Sequence, residues 1–194
     1  MKQLAAQHQD WLLVDQDECW FSRFAQPHTH AWAEPGGALR LIERTPTRRD
    51  TRKALACFGA VRQDTQEVLL YFSEGQPDTM QLWWFIIGLL ALARQEGKRV
   101  VVIIWDNASW HKSQDVRDWL RTYNRAAKAA GEPRLLTHLL PVKSPWLNPI
   151  EPCWVHAKRA VCEPAGPLTA GELQRRICVH FDAVPFFSHS TNET

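Results

Sequence analysis

Long hydrophobic runs are missing from this sequence. The longest apolar stretch covers residues 82–93, and a segment of this length is too short to span a bilayer. The first residues, MKQLAAQHQDW, contain no apolar core of a secretory signal peptide. We therefore expect a cytoplasmic protein that acts without a membrane.

Cysteine motifs, repeats and low-complexity tracts are also lacking. None of the five cysteines stands two residues from another, as in a zinc knuckle. Their odd number in a chain of 194 residues argues against a disulfide framework and favours reduced thiols. With 45% apolar and 23% charged residues, the composition is that of a globular protein, which excludes disorder over most of the length.

A strong excess of one charge is absent, since the formal net charge is only +2. This value neither requires nor opposes a polyanionic partner. The distribution is less even, because residues 40–53 hold six basic side chains, among them Arg48 and Arg49, against two acidic ones. A solvated basic loop and a phosphate-binding loop are equally good interpretations of this segment.

The hydrophobic patterning predicts an α/β domain with a mixed central sheet flanked by helices. Segments typical of strands lie at residues 11–21, 53–62, 67–74, 99–106 and 134–141. Segments typical of helices lie at residues 77–97, 114–130 and 149–161. We expect one domain over residues 1–165 and a C-terminal helical or disordered tail over residues 166–194. Within that tail, residues 169–181 are expected to form a helix that either packs on the domain or swings free.

Acidic residues stand where the predicted elements begin or end. Asp106 follows the apolar strand RVVVIIW, and functional groups of open α/β sheets gather at the carboxyl ends of strands; a turn without chemical role explains the residue equally well. Glu151 starts a predicted helix, where a capping box with Asn148 also accounts for it. Asp15 and Asp17 share one face of the first strand, and the alternative for them is a pair of exposed acids on an edge strand.

Three carboxylates brought together from these elements would suit hard cations. Mg²⁺ prefers oxygen ligands and is commonly held by a few carboxylates together with substrate phosphates. Two such ions about 4 Å apart can promote the displacement of a phosphoryl group. Metal binding would also offset the cost of clustering acids near a core. The pattern therefore indicates metal-dependent phosphoryl transfer, provided that the acids converge.

Two segments, WDNASWHKS and LLPVKSPWLNPIEPCWVHAKRAV, resemble the catalytic core of mariner-superfamily transposases, in particular their bacterial insertion-sequence relatives. The matching residues form an ordered series: Asp106, Asn107, His111, Leu140, Pro141, Ser144, Pro145, Leu147, Asn148, Pro149, Ile150, Glu151, Trp154 and Lys158. The early segment DQDECWFSRFAQPHTHAWAEPG resembles the family's first acidic strand and a turn over residues 32–36. The resemblance extends over residues 11–162.

This resemblance implies a ribonuclease-H-like fold whose three acids bind two Mg²⁺ or Mn²⁺ ions. On this chain the acids are Asp17, Asp106 and Glu151. Asp15 is a rival for the first position, because the segment DQDE makes the local alignment ambiguous. The supporting residues are Asn107, His111 and Asn148; His111 either contacts the substrate or packs against the site, and Asn148 fixes the start of the helix that carries Glu151.

The activity implied by the resemblance is DNA cleavage and strand transfer in transposition. The partners would be the element ends and the target DNA, and a homodimer is expected in the transposition complex. Basic residues expected to contact the DNA backbone, with an exposed surface charge as the alternative for each, are Lys143, Lys158, Arg159, Arg48 and Arg49. We expect Trp146 to pack beside the helix start rather than to stack on a base.

Two features depart from the family pattern. The interval between Asp106 and Glu151 holds 44 residues, which is longer than usual, and we expect the extra length in the segment NRAAKAAGEPR. Helix-turn-helix modules normally precede the catalytic domain, and the ten residues before Trp11 are too few for one. We therefore expect the catalytic half alone, as a second reading frame joined by frameshifting, a truncated remnant or an expressed fragment, with a separate helix-turn-helix chain as a candidate partner. An inactive remnant or partner subunit, and a nuclease without strand transfer, are the alternative functions.

Overall fold

The computed structural model describes residues 7–23, 54–75, 77–142, 144–161 and 168–186. Its helices and strands, in chain order, are β1 (Trp11–Ser22), β2 (Ala54–Arg62), β3 (Val68–Glu74), α1 (Thr79–Gln95), β4 (Val100–Trp105), α2 (Gln114–Ala130), β5 (Arg134–Leu139), α3 (Ile150–Val161) and α4 (Ala170–Phe181). Short 3₁₀ helices cover Ser109–Lys112 and Pro145–Leu147. No helix in these ranges is both long and apolar enough to cross a membrane.

The five strands form one mixed sheet in the order β3-β2-β1-β4-β5. Strand β1 pairs antiparallel with β2 and parallel with β4, while β2–β3 is antiparallel and β4–β5 is parallel. Strand β1 is therefore central. The alternative that Asp15 and Asp17 are exposed edge-strand acids is wrong, because hydrogen-bonded neighbours flank β1 and both side chains are buried.

Helices α1 and α2 cover one face of the sheet. Alternate residues of β1 and β4, including Leu12, Val14 and Ile103, pack there against fully buried side chains of α1 such as Phe85. The aromatic residues of α2 join this core at its margin, where the Trp119 ring contacts Trp83 with ring centroids 4.2 Å apart.

Helices α3 and α4 cover the opposite face over β1, β2 and β3. The inward stripe of α3 consists of Ile150, Trp154, Ala157 and Val161, whose three- and four-residue spacing is that of an amphipathic helix. Helix α4 adds Leu173 and Ile177, both fully buried in the same core. Of the two arrangements expected for residues 169–181, the structure therefore has the helix packed on the sheet.

Candidate active site

The register of the two central parallel strands brings Asp17 and Asp106 to the same edge of the sheet. Asp15 pairs with Ile104 in that register, and two residues further along each strand lie Asp17 and Asp106. Strand β4 ends at Trp105, so Asp106 is the first residue beyond it. Both acids thus lie where β4 ends beside β1, at the carboxyl end of the parallel pairing, although β1 continues beyond Asp17 in its pairing with β2. The carboxyl ends of parallel strands are where α/β sheets carry their functional groups.

Asp17 is a buried carboxylate held by a tryptophan of α3. The indole Nε1–H of Trp154 donates a hydrogen bond of 3.1 Å to Asp17 Oδ2, and only 8% of Asp17 is exposed. Burial, followed by the charges of Glu151 and Glu18, raises the pKa of Asp17 to about 7. The charge of Asp106 acts in the same direction, so the carboxylates lie close enough to oppose each other's ionisation.

The pKa of Asp106 is shifted in the opposite direction, below its usual value. Its Oδ1 lies 2.9 Å from His111 Nδ1 and accepts a hydrogen bond of 2.9 Å from the Ala108 backbone N–H. The hydrogen bond from His111 is the main reason why the pKa of Asp106 is lowered, although burial acts against it. Asp106 is therefore ionised at neutral pH.

His111 is buried between two acids and an indole ring. Its ring stacks on Trp105 with centroids 4.6 Å apart, and its Nε2 lies 3.4 Å from Glu18 Oε1. Burial lowers the pKa of His111, but the hydrogen bonds to Asp106 and Glu18 outweigh it and raise the pKa to about 9. The imidazolium thus balances part of the negative charge at this edge of the sheet.

The start of α3 is tied to β1 by Asn148. This residue is 1% exposed, and its Nδ2–H donates a hydrogen bond of 3.3 Å to the backbone carbonyl of Gln16. The backbone N–H of Glu151 donates to the carbonyl of Asn148 at 3.2 Å. Because Gln16 precedes Asp17, the side chain of Asn148 fixes the beginning of α3 directly beside the first acid.

The capping box that would explain Glu151 by local structure alone is not formed. In the part of the chain that the structure describes, the side chain of Asn148 donates to β1 instead of accepting from its own helix, and its Oδ1 is buried without a hydrogen-bond partner. The carboxylate of Glu151 is half-buried. It is therefore left for interactions outside its own helix start.

One cavity of about 330 Å³ connects the second and third acids. It is lined by the loop after β4, the segment after β5 and the start of α3: Asp106, Asn107, Ala108, Leu140, Pro141, Ser144, Asn148 and Glu151. Asn107 contributes to its wall by donating from Nδ2 to the Leu140 carbonyl. Asp17 is not among the lining residues, and it approaches this site from β1.

The structure separates the two candidates for the first acid. Asp15 is fully buried, accepts a hydrogen bond from the side chain of Gln63, and lies inside the paired part of β1 opposite Ile104. Asp17 lies two residues nearer the carboxyl edge, about 7 Å further along the strand. The charges of Glu151 and Asp106 both act on the pKa of Asp17.

The expected DNA-contacting residues fall into two groups. Lys158 and Arg159 are exposed on α3, and Lys158 Nζ lies 5.8 Å from the centroid of the Trp20 ring. The others lie outside the described residues, namely Lys143, Arg48 and Arg49, as does the turn expected over residues 32–36.

Trp146 does not pack beside the helix start, and that prediction is wrong. It is 75% exposed on the 3₁₀ helix Pro145–Leu147. The side chains that pack between α3 and the sheet are instead Ile150 and Trp154, both almost fully buried.

Sequence reasoning missed Glu18 and the bond from Trp154. Alternation along β1 directs Glu18 away from Asp17, but His111, after β4, reaches Glu18 at 3.4 Å. The position of His111 five residues after the strand-end acid was visible, whereas its second partner depends on contacts between distant segments.

The candidate metal ligands at this site are mostly carboxylate oxygens, but they do not form a complete coordination shell. Within residues 7–23, 54–75, 77–142, 144–161 and 168–186, no three His, Cys, Asp or Glu side chains already surround a common point at metal-ligand distance. The carboxylates that converge here are Asp17, Asp106 and Glu151, and Glu18 lies next to them.

The sequence matches a known family over most of its length. The family model described as "DDE superfamily endonuclease" matches residues 13–174. No protein among the curated sequences matches the chain.

Solved structures of one transposase share the fold. The Mos1 transposase paired-end complex with left transposon end matches with a TM-score of 0.56 and 19% identity, over 89% of this chain and 48% of that one. The Mos1 mariner paired end complex with Mn gives 0.55 and 20%, over 89% and 48%. The Mos1 Strand Transfer Complex gives 0.52 and 21%, over 90% and 48%. The chain spans about half the length of these Mos1 chains, and the likeness confirms the predicted ribonuclease-H-like fold.

Proposed function

Because the chain belongs to the DDE superfamily endonucleases, we propose that it is the catalytic domain of a mariner-type or insertion-sequence transposase. Its reaction would be the hydrolysis of a DNA phosphodiester bond, which frees a 3′-hydroxyl group, followed by attack of that hydroxyl on a second phosphodiester bond. The catalytic residues we propose are Asp17, Asp106 and Glu151.

The observation that supports this proposal most strongly is the convergence of three acids from separate elements. Asp17 comes from β1, Asp106 follows β4, and Glu151 lies in the first turn of α3. The charges of Glu151 and Asp106 both raise the pKa of Asp17, which requires proximity. A fold that needed these residues only for stability would not bury like charges together.

The donor set fits divalent ions such as Mg²⁺ or Mn²⁺. Carboxylate oxygens are the ligands that these hard cations prefer, and Asp17 is buried among acids that oppose its ionisation. Asp17, Asp106 and Glu151 would hold two ions. When bound, such ions activate the attacking oxygen and stabilise the leaving oxygen of a phosphoryl displacement.

The neighbouring residues keep the acids in place. His111 holds Asp106 in its ionised form through the 2.9 Å contact and adds a positive charge that counters Glu18. Asn148 anchors the start of α3 to β1, which sets the position of Glu151. Asn107 joins the segments that follow β4 and β5, so the cavity beside Asp106 has a fixed wall.

The substitution Asp106→Asn tests the proposed activity. It removes a carboxylate from the site at nearly constant shape. We expect at least about a hundredfold slower Mg²⁺-dependent nicking of supercoiled plasmid DNA. The matched control is Asp115→Asn, which changes an exposed acid in the first turn of α2 and should nick at the wild-type rate. Equal rates for Asp106→Asn and the wild type would reject the proposal.

Calorimetric titration with Mn²⁺ separates the proposed enzyme from an inactive remnant or partner subunit. The wild type should bind Mn²⁺, and Glu151→Gln should bind it at least about tenfold more weakly. Binding of Mn²⁺ that is the same with and without the Glu151 carboxylate would favour the partner subunit instead. A separate helix-turn-helix chain and a homodimer stay predictions, as does the domain boundary at residue 165.

The DNA would lie along the edge of the sheet that carries the acids. Lys158 and Arg159, which are exposed on α3, would contact its phosphates, and the exposed ring of Trp146 would stack on a base. These contacts belong to the same proposal.

A further inference from the structure

A second charged site lies at the opposite end of the sheet from the acids. A groove of about 450 Å³ opens where α1 and α2 end and where β4 and β5 begin. Five of its ten lining residues are basic and one is acidic, and these charged residues are Arg94, Lys98, Arg99, Lys128, Arg134 and Glu132. Positive charge is therefore concentrated there, although the whole chain carries a formal charge of only +2.

Part of this charge has a structural explanation. Arg94 and Lys128 lie in the last turns of α1 and α2, where cations interact favourably with the helix dipole. Arg94 also forms an ion pair with Glu132, and Lys98 donates a hydrogen bond of 2.9 Å to the Gln9 carbonyl. The contacts of Arg94 and Lys98 account for two of the five cations, whereas the helix dipole favours Lys128 without engaging its ammonium group in an ion pair.

The other side chains are not explained in this way. Arg99 and Arg134 stand at the beginnings of neighbouring strands, joined by the Arg134 N–H···O=C Arg99 bond of 3.0 Å. The Arg99 side chain is 80% exposed, and its ion-pair contact in the described ranges is a 3.7 Å approach to Asp10. Among the residues that the structure describes, Lys128 and Arg134 have no ion-pair partner, and both are exposed.

We propose that this groove, which we call the basic groove, binds the sugar–phosphate backbone of a double-stranded DNA segment other than the one at the acids. Strand β4 separates the two sites by its six residues, which span about 20 Å. A straight duplex that lies along the edge carrying the acids, as proposed above, would therefore not reach the basic groove, which is left for a second segment. Exposed guanidinium groups facing a concave surface are suited to phosphate contacts.

The choice of DNA over another polyanion rests on the proposed function, whereas the charge of the groove does not. Contacts to phosphates would give binding without sequence preference and with a strong dependence on salt. The basic groove would then hold flanking or target DNA while the acids act elsewhere.

The test is binding of a fluorescein-labelled, random-sequence duplex of about 30 base pairs, measured by anisotropy in EDTA from about 50 to about 200 mM salt. We expect the triple variant Arg99→Ala/Lys128→Ala/Arg134→Ala to bind at least about tenfold more weakly. Its slope of log K against log salt should fall by about two to three, because each phosphate contact contributes about 0.9 to that slope.

The matched control is Arg117→Ala/Arg121→Ala/Arg125→Ala, which removes the same charge from an exposed row on α2. A loss of binding in the control as large as that in the triple variant would overturn the proposal, as would unchanged binding by the triple variant. Groove-dependent binding of an RNA duplex at least about tenfold tighter than DNA would overturn the assignment to DNA. If the triple variant melts at a lower temperature than the wild type, the double variant Lys128→Ala/Arg134→Ala is compared with the double control Arg117→Ala/Arg125→Ala instead.

Binding in EDTA is measured without cleavage, so the two proposals fail separately. Groove-dependent binding by a protein that never nicks DNA would retain the basic groove and reject the proposed enzyme. Metal-dependent nicking that needs Asp106, together with binding unaffected by the groove variants, would retain the proposed enzyme and reject the basic groove.

Discussion

At the scale of single residues, Asp17 and Asp106 lie at the same sheet edge but favour different protonation states. Burial and neighbouring acids raise the pKa of Asp17 to about 7, whereas the hydrogen bond from His111 lowers the pKa of Asp106. Without a cation, the site therefore holds one fully ionised aspartate and one that titrates near neutral pH. A cation placed between them would draw Asp17 into its ionised form.

The pKa of Asp17 predicts how the stability of the metal-free protein depends on pH. In the unfolded chain this carboxyl titrates near 3.8, and in the folded protein near 7. Since the folded pKa is raised, the stabilisation is complete below about pH 3.8 and is lost as the pH rises through about 7. Relative to Asp17→Asn, the wild type should lose about 2 to 3 kcal/mol of unfolding free energy between pH 5 and 7.5.

Urea unfolding in EDTA at the two pH values measures this difference. Asp115→Asn provides the control, because it removes an exposed carboxyl and should keep the slope of the wild type. Parallel profiles for the wild type and Asp17→Asn would show that Asp17 does not titrate in this range.

Among the site residues, those at the ends of elements could be proposed from the sequence. Asp106 follows an apolar strand, and Glu151 follows an Asn-Pro helix start, so each has a local signal. The contacts of Asp17 with Trp154 and of His111 with Glu18 have none, because they join residues far apart in the chain. The exposure of Trp146 likewise has no local signal, since it depends on how the segment Pro145–Leu147 sits on the folded chain.

At the scale of elements, a glycine allows α3 to approach the sheet closely. Gly59 pairs with Asp17 in the register of β1 and β2. A Cβ at this position would lie 2.4 Å from Trp154 Cη2, which is shorter than packed carbon atoms tolerate, and 3.0 Å from Ile150 Cδ1, which is a tight contact. The missing side chain of Gly59 therefore lets Trp154 reach Asp17 and brings Glu151 with it.

The substitution Gly59→Ala should push α3 away from the sheet. We expect a loss of about 1 to 3 kcal/mol in unfolding free energy and weaker binding of Mn²⁺, because Glu151 moves with the helix. Thermal melting and calorimetric titration measure the two effects. Gly171→Ala in α4 is the matched control, since a Cβ there meets nothing within 4 Å, and it should leave both quantities unchanged or raise stability slightly. An unchanged melting temperature for Gly59→Ala would mean that α3 shifts away from the sheet without a loss of stability.

The bounds of the elements could be predicted from local patterns to within a few residues, whereas the order of the strands in the sheet could not. The hydrophobic runs and the Gly and Pro signals are local, so β4, α2 and α3 were expected close to where they lie. The central position of β1 depends on pairing with β2 on one side and β4 on the other. Such pairing is decided by contacts that no local pattern carries.

At the scale of the whole molecule, the last described residues connect the two faces of the sheet. Helix α4 buries Leu173 and Ile177 on one face. The chain then passes the edge strand β3, where the Phe186 N–H donates to the Leu70 carbonyl at 2.9 Å. The Phe186 ring finally packs on Phe85 of α1, with centroids 5.6 Å apart, on the other face.

A chain that ends at Ala165 should therefore be less stable than the full chain. It loses two fully buried aliphatic side chains of α4 and uncovers their partners, which we expect to cost more than about 3 kcal/mol of unfolding free energy. Urea unfolding checks this, with a chain that ends at Phe186 as the control that keeps every contact described above. If the chain that ends at Ala165 had the same unfolding midpoint as the control, α4 would not contribute to the stability of the core.

The 44 residues between Asp106 and Glu151 run out to the far end of the sheet along α2 and return along β5. The length of this interval therefore depends mainly on the length of α2. The turn after α2 lies at the basic groove, far from the acids. Helices of different length can fill this excursion while the two acids keep their places. A search for related chains that requires a fixed interval between these acids would consequently exclude chains whose α2 has another length.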